Sequence, residues 1–509
     1  GINIIEYDGV DLGSVNGLTT DTGDINITAA KTATGDLTAT LVTAGGAGNI
    51  TLTTADGGGG GVSTNHIKVG LVTAAADDVT LISNGDIIDL DGGSTVDIVA
   101  DALYLQAGGS VGTSSDYLHT RVSTIDDYTG GNTGGNIYIS EYDGVKLGSL
   151  TTTTGLSTAN GEMRVIAAAT GDGTLTATKV TAGGTGKDLY LTTLNGAGGN
   201  NNIALGVVTA VGDNVILNAD YDITNAAGTT TPNVVASGLY LSAGRNVGGP
   251  ASSAEIYTTV DTIDNRTATD NVSGNIYIDE TNAVTVGSIN GLTTDAGAID
   301  LDAGGTITVG TIAANGGYGI TLNATAGDIL AAPTSSITAS GTSTFRASGI
   351  IGTVYEPVHV DVSNGRLWVW ANGVQNETSV CLVGTVNSGS ATERVEVLEP
   401  TPPGLVLYND HLMGGGNYGS ASPNGSILSW GYGYVIPNNA DTFQAGYQRA
   451  LQLWGYKMLL PWVLSEGAKI DRDFLNGTPV TIDVSQLNLP ALQSDINKAA
   501  DYFVIRSLR

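Results

Sequence analysis

The residues that could do chemistry in this chain are carboxylates. Asp86, Asp89 and Asp91 stand close to Asp97 and Asp101, and Asp126 is followed directly by Asp127. Clustered acids of this kind serve glycosidases and polysaccharide lyases as acid/base pairs, or hold calcium beside an Arg or Lys base. Two features argue for a non-enzymatic reading instead. Asp is favoured in tight turns for reasons of backbone hydrogen bonding, and the acids recur along the chain, whereas a catalytic site is usually singular. Basic partners are also sparse, with none between Arg266 and Arg346.

Metal and phosphate motifs are not evident. His66, His119, His359 and His411 stand too far apart in sequence to form a zinc motif. The nine-residue pattern of calcium-binding rolls is broken, since residues 45–52 (GGAGNITL) place Ile50 where a ligand Asp belongs. Calcium remains the cofactor that an acid-rich surface would suit. The glycine run at 57–61 lacks the Lys-Ser/Thr of a phosphate loop and reads as a loop between strands. Cys381, the single cysteine, lies in an apolar phrase and reads as a buried, inert thiol; it excludes an internal disulfide framework.

The elements that must position these residues are repeated. Residues 135–149 read GNIYISEYDGVKLGS, residues 1–14 read GINIIEYDGVDLGS, and residues 274–288 read GNIYIDETNAVTVGS. LTAT at 37–40 returns at 175–178, LYL at 103–105 returns at 239–241, and TID at 124–126 returns at 262–264. An order of phrases repeats, which is the signature of a stacked array. Within it, strand-like runs such as ITLTT (50–54) and DLYLT (188–192) end at Gly, Asn or Asp, about every 20–23 residues. With 74 Gly but only 4 Phe and 5 Trp, a bulky aromatic core is excluded for most of the length. Thr, Val, Ile, Leu and Ala suit a pleated surface. The expected fold is all-β: a right-handed parallel β-helix with a small C-terminal module containing one or two α-helices. Its expected divisions are super-repeats at 1–134 and 135–273, a partial third with final coils at 274–398, and the module at 399–509.

Residues 103–126 (LYLQAGGSVGTSSDYLHTRVSTID), their echo at 239–264, and ASGIIGTVYEPVHVDV at 347–362 with GRLWVW at 365–370 carry a resemblance. Over roughly residues 1–395 the chain resembles the large exoproteins related to filamentous haemagglutinin. The resemblance implies a right-handed β-helix, export through an outer-membrane partner, and an adhesive or matrix role. The secretion domain such proteins carry at their amino terminus is not recognisable, and the chain reads as a processed or excerpted product. Near-absence of cysteine and the absence of an 18-residue apolar run fit an extracellular, bacterial cell-surface location.

Charge sharpens the partner list. With 49 acids against 19 bases the net charge is −30, which argues against nucleic acid. Nine Lys or Arg precede residue 270, whereas Arg449, Lys457, Lys469, Arg472, Lys498, Arg506 and Arg509 crowd the C-terminal end. A helix is expected over 441–460 and another over 490–503. Their apolar faces cap the β-helix or dock a second copy, with Phe443, Tyr447, Arg449, Leu451, Trp454, Lys457, Trp462 and Phe503 as the candidate interface. A homo-oligomer or filament follows, with surface glycans as a further partner. Tyr104, Tyr138, Tyr190, Tyr240 and Tyr277 either fill the sheet surface or stack on sugar rings.

Overall fold

The computed structural model describes residues 1–56, 65–148, 155–228, 231–353, 356–362 and 367–371, together with the backbone of strands Val380–Thr385, Val395–Val397, Leu405–Tyr408, Ile427–Trp430 and Tyr434–Pro437. The chain divides into two compact units, Gly1–Asp302 and Ala303–Arg509. Both are built from parallel strands that wind as a β-solenoid, as the alternating apolar phrases predict. The two expected C-terminal helices, the glycine run at 57–61 and all eight candidate interface residues, Phe443 to Phe503, lie outside the described residues, as does the side chain of Cys381.

In the first unit each coil feeds strands into columns in which equivalent aliphatic residues stack. Ile2, Ile25, Ile50 and Val79 form one column, and Val10, Leu37, Ile67 and Ile87 another. Leu18, Val42, Val72 and Ile98 form a third. A strand such as Leu37–Ala44 serves two columns, because it bends at its middle. The inward residues are buried and the outward Thr and Lys are not, which is the period of two that a pleated strand imposes. Stacking of like on like gives every inward side chain the same neighbour above and below. Small residues such as Ala39, Ala44 and Ala74 fill the tight places.

The coils are less regular than the sequence phrases suggest, and many are longer. Ile137, Met163, Leu189 and Val215 stack directly at equal steps along the chain. The step from Leu37 to Ile67 is longer than these, and the step from Ile67 to Ile87 is shorter. The variation sits mainly in the corners, with register shifts at Ala210–Asn214 and at Val309–Thr311. In the second unit Ile307 stacks on Ile329, Leu322 on Phe345, and Phe345 in turn on Val369; Phe345 is fully buried. Val380–Thr385 pairs in parallel with Leu405–Tyr408, and Ile427–Trp430 pairs antiparallel with Tyr434–Pro437.

Corners are where a strand ladder loses its hydrogen bonds, and here polar side chains replace them. The residue just before a strand accepts, through its side chain, the backbone N–H of its counterpart one coil on. Asp36 Oδ1 takes His66 N at 3.0 Å, His66 Nδ1 takes Asp86 N at 2.9 Å, and Asp86 Oδ1 takes Ser110 N at 2.6 Å. Ser110 Oγ then takes Asn136 N at 3.1 Å, and Asn136 Oδ1 takes Glu162 N at 2.8 Å. A second run passes from Asn202 through Asp222, Asn246 and Asn275 to Ala298.

The super-repeat is visible in backbone conformation. Gly112, Gly248 and Gly352 occupy matching places in the three exoprotein-like phrases, with φ of 62°, 69° and 66°. A Cβ at Gly112 would stand 2.5 Å from Tyr138 O, and one at Gly248 would stand 2.5 Å from Tyr277 O. Glycine is therefore required there twice over, by dihedral and by space.

Truncating a corner acceptor should leave a half-buried N–H without its protein partner, at about 0.5–1.5 kcal/mol. Asn136→Ala is expected to lower the urea midpoint and to raise hydrogen exchange at Glu162. Asn26→Ala, on the exposed face of Ile25–Ala29, should stay within about 0.5 kcal/mol of wild type. Equal effects of the two substitutions would contradict the role given to the corner.

Candidate functional site

Of the acids flagged by the sequence, Asp89 and Asp97 come together and the others do not join them. Asp86 belongs to the corner ladder. Asp91 is exposed and accepts from Thr95 Oγ1 at 2.8 Å and Gly93 N at 3.2 Å, which is local turn chemistry. Asp101 is exposed on its strand. Asp126 and Asp127 are buried; Asp127 accepts a hydrogen bond from Ser157 Oγ. Turn chemistry alone, the bland explanation, thus accounts for Asp91 but not for the buried acids.

Two buried glutamates show what most of these acids do. Glu141 ends strand Ile137–Glu141 and points inward, fully buried. Its carboxylate accepts from Thr120 Oγ1 at 2.7 Å and from Val122 N at 3.1 Å, where strand Leu118–Asp127 turns a corner. Glu280 repeats the arrangement with Thr258 Oγ1 at 2.7 Å and Val260 N at 3.0 Å. Glu141 and Glu280 stand at the matching place of the repeated phrases 135–149 and 274–288. Asp264 likewise gathers the N–H groups of Ile289, Asn290 and Gly291 at 3.0, 2.9 and 3.1 Å. Burial outweighs these donors for Glu141 and raises its carboxyl to about 7. Asp127 is likewise pushed up to about 7 by burial, against the Ser157 hydrogen bond.

One group differs from all of these. Asp89, at the end of Ile87–Asp89, Asp97, just before Ile98–Ala107, and His119, on Leu118–Asp127, turn toward a common point. Their ligand-type atoms all lie within 4.8 Å of one another. The two carboxylates are fully shielded and His119 is 18 % exposed. One oxygen of each carboxylate is engaged: Asp89 Oδ1 accepts Asp91 N and Gly92 N at 2.9 and 3.2 Å, and Asp97 Oδ2 accepts His119 N at 2.7 Å. The inner atoms, Asp89 Oδ2, Asp97 Oδ1 and His119 Nδ1, have no hydrogen-bond partner. Burial drives the Asp97 carboxyl up to about 8; the His119 N–H opposes the rise, while the charges of Asp89, Asp91 and Asp116 add to it.

Distance between the histidines along the chain gave no hint of this group. The usable signal was the coil. Asp97 and His119 belong to successive coils and sit side by side, because Ile98 pairs with Thr120.

Tyr138 is buried, and Tyr104, Tyr190, Tyr240 and Tyr277 are half-buried on their strands. Tyr138 packs edge-on against Tyr117 at 5.7 Å, and Arg164 covers Tyr190 at 3.7 Å from the ring centre. Arg245 lies over Tyr221 at 4.4 Å in the same way. Tyr104 and Tyr240 occupy matching rungs beside Asp126 and Asp264.

These features define a parallel β-solenoid whose corners are closed by buried polar side chains. Compared with protein-family models, with curated proteins and with solved structures, the chain matches none. No helix among the described residues is long and apolar enough to cross a membrane.

The raised carboxyls set a pH dependence. Folded Glu141 and Asp127 hold protons up to about 7, whereas an unfolded chain releases them near 4. The folded state binds more protons in that window, so their contribution to stability is present below about 4 and is lost as pH rises through 7. Urea midpoints should be higher at pH 5 than at pH 8, and Glu141→Gln should narrow the gap. A midpoint that climbs from pH 5 to pH 8 would refute this account.

Proposed function

We propose that this chain is an extracellular structural or adhesive protein of a bacterial surface, assembling with copies of itself into a rod, sheath or filament, and that it is not an enzyme. The observation that carries the reading is where the reactive side chains are used. Glu141, Glu280 and Asp264 are buried acceptors for the chain's own N–H groups, and Asp36, Asp86 and Asp222 tie one coil to the next. Side chains used in this way stabilise a scaffold and are not free to act as general acids or bases.

The resemblance to exoproteins related to filamentous haemagglutinin supports the same reading, and with it export through an outer-membrane partner and contact with surface glycans. The charge distribution supports the mode of assembly. An acidic solenoid followed by an aromatic tail that is charge-balanced over residues 440–509, with seven acids and seven bases, favours head-to-tail contact, which continues as an open filament when it does not close. In this scheme Arg449 and Lys457 supply charge, while Phe443, Tyr447, Leu451, Trp454, Trp462 and Phe503 supply apolar area.

Electron microscopy of the native chain over a range of concentrations tests the assembly. Filaments with a regular axial repeat are expected, and removal of residues 440–509 should abolish them. Filaments that survive the truncation would rule out docking through the tail. Separate particles at every concentration would rule out self-assembly.

A further inference from the structure

The corner that holds Asp89, Asp97 and His119 occurs twice in the first unit, and its second copy is uncharged. The super-repeat offset carries Asp89 to Asn225, Asp97 to Asn233 and His119 to Tyr257. The described backbone hydrogen bonds match in the two. Asp97 N donates to His119 O at 2.8 Å, and Asn233 N to Tyr257 O at 2.7 Å; Val72 N donates to Asp97 O at 2.7 Å, and Val208 N to Asn233 O at 2.8 Å. Asn225 Oδ1 accepts Ala227 N and Gly228 N at 2.9 and 3.0 Å, just as Asp89 Oδ1 accepts Asp91 N and Gly92 N.

What differs is who fills the centre. In the second copy the Asn233 amide does so, with Nδ2 donating to Leu205 O at 2.9 Å, to Gly206 O at 3.0 Å and to Asn225 Oδ1 at 3.0 Å. In the first copy a carboxylate stands where the amide stood, and the donor is gone. Asp97 Oδ1 and Asp89 Oδ2 are buried acceptors without a donor, and His119 Nδ1 joins them as a third unpartnered atom. Replacing two amides by two acids in a dry corner carries a heavy desolvation cost unless positive charge enters with them.

We propose that Asp89, Asp97 and His119 bind a divalent transition-metal ion of the zinc class. The ion replaces the amide hydrogens of the sister corner and ties the excursion 90–96 to the solenoid wall. His119 Nδ1 lies 3.8 Å from Asp89 Oδ2, and one ligand atom from each of the three residues lies within 4.8 Å of the others. Ligands about 2.0–2.2 Å from a zinc ion stand about 3.4 Å apart at the tetrahedral angle, so a small inward movement closes the set. Two carboxylates and an imidazole suit zinc better than calcium, which gathers six to eight oxygens, typically of larger, all-oxygen cages. The fourth position belongs to water on the side where His119 reaches solvent.

The sister corner also supplies the control. The double substitution Asp89→Asn with Asp97→Asn installs an amide pair that this backbone already carries at Asn225 and Asn233, so the variant is expected to fold. The full chain, stripped with a chelator, is titrated with zinc by calorimetry, the bound metal is counted by mass spectrometry, and cobalt is used as a visible probe. Wild type should take up one zinc more per chain than the double variant, show a cobalt spectrum of low coordination number, and gain thermal stability on loading. The double variant and His119→Tyr should each weaken that site by about 100-fold or more.

Equal zinc uptake by wild type and double variant would overturn the proposal. So would uptake of one calcium in place of zinc. A zinc-free wild type whose infrared spectrum shows a protonated carboxyl that the double variant lacks would assign the corner to a proton and not to a metal.

Discussion

The structure depends on one constraint: a chain that turns corner after corner must still satisfy its buried N–H groups. Along the strands the parallel ladder does this automatically. At a corner the strands diverge and the ladder opens, and an unpaired buried N–H costs as much as a lost hydrogen bond. The solution in this chain is a side-chain acceptor on a short stem, placed just before the strand and aimed one coil ahead. Asp and Asn have the right reach, and Asp36, Asp86, Asn136, Asp188, Asn202, Asp222, Asn246, Asn275 and Asp328 all serve in this way. Ser110 and His66 show that the position selects for an acceptor atom and tolerates different side chains.

This constraint also explains much of the charge. An acceptor facing an N–H needs no cation, so acids accumulate without matching bases, and ion pairs are few and largely exposed among the described residues. The deeper acids follow the same logic at higher cost. Glu141 and Glu280 reach where a strand bends too sharply for its next N–H to find a backbone carbonyl, and the donors that meet them only partly offset their desolvation. An acidic solenoid is thus the sum of many local solutions to one backbone problem. Its negative surface is a by-product of those solutions.

The solenoid was legible in the sequence because its two governing periods are written there. Alternation in phrases such as ITLTT at 50–54 marks a strand with one buried side, and the recurrence of Glu141 at Glu280 marks the stack. Coil length was not legible. Register fixes the strands, but the corners between them absorb insertions. The short step from Ile67 to Ile87, the middling one from Ile137 to Met163 and the long one from Leu37 to Ile67 all set one inward residue on another. The sequence put Asp89 and Asp97 in one acid cluster, but for the same reason their partner His119 could not be read from spacing. Side chains one coil apart become neighbours only once the register is known, and a search keyed to short zinc spacings looks along the chain when the relevant direction runs across it.

Repetition gives this fold an internal reference that an unrepeated domain lacks. Matching backbone hydrogen bonds in the two copies of the corner agree to about 0.1 Å, so the differences that stand out there are those of the side chains. Where both copies keep the same group, as with Glu141 and Glu280 or Gly112 and Gly248, the backbone demands it. Where they part, the backbone is indifferent, and the choice must answer to something other than folding. Asn225, Asn233 and Tyr257 satisfy the corner completely with neutral groups, and so show that acids there are not a structural necessity. A carboxylate pair held against its desolvation cost, beside a histidine, on a frame that accepts amides equally well, is the kind of departure from local consistency that marks a site put to use.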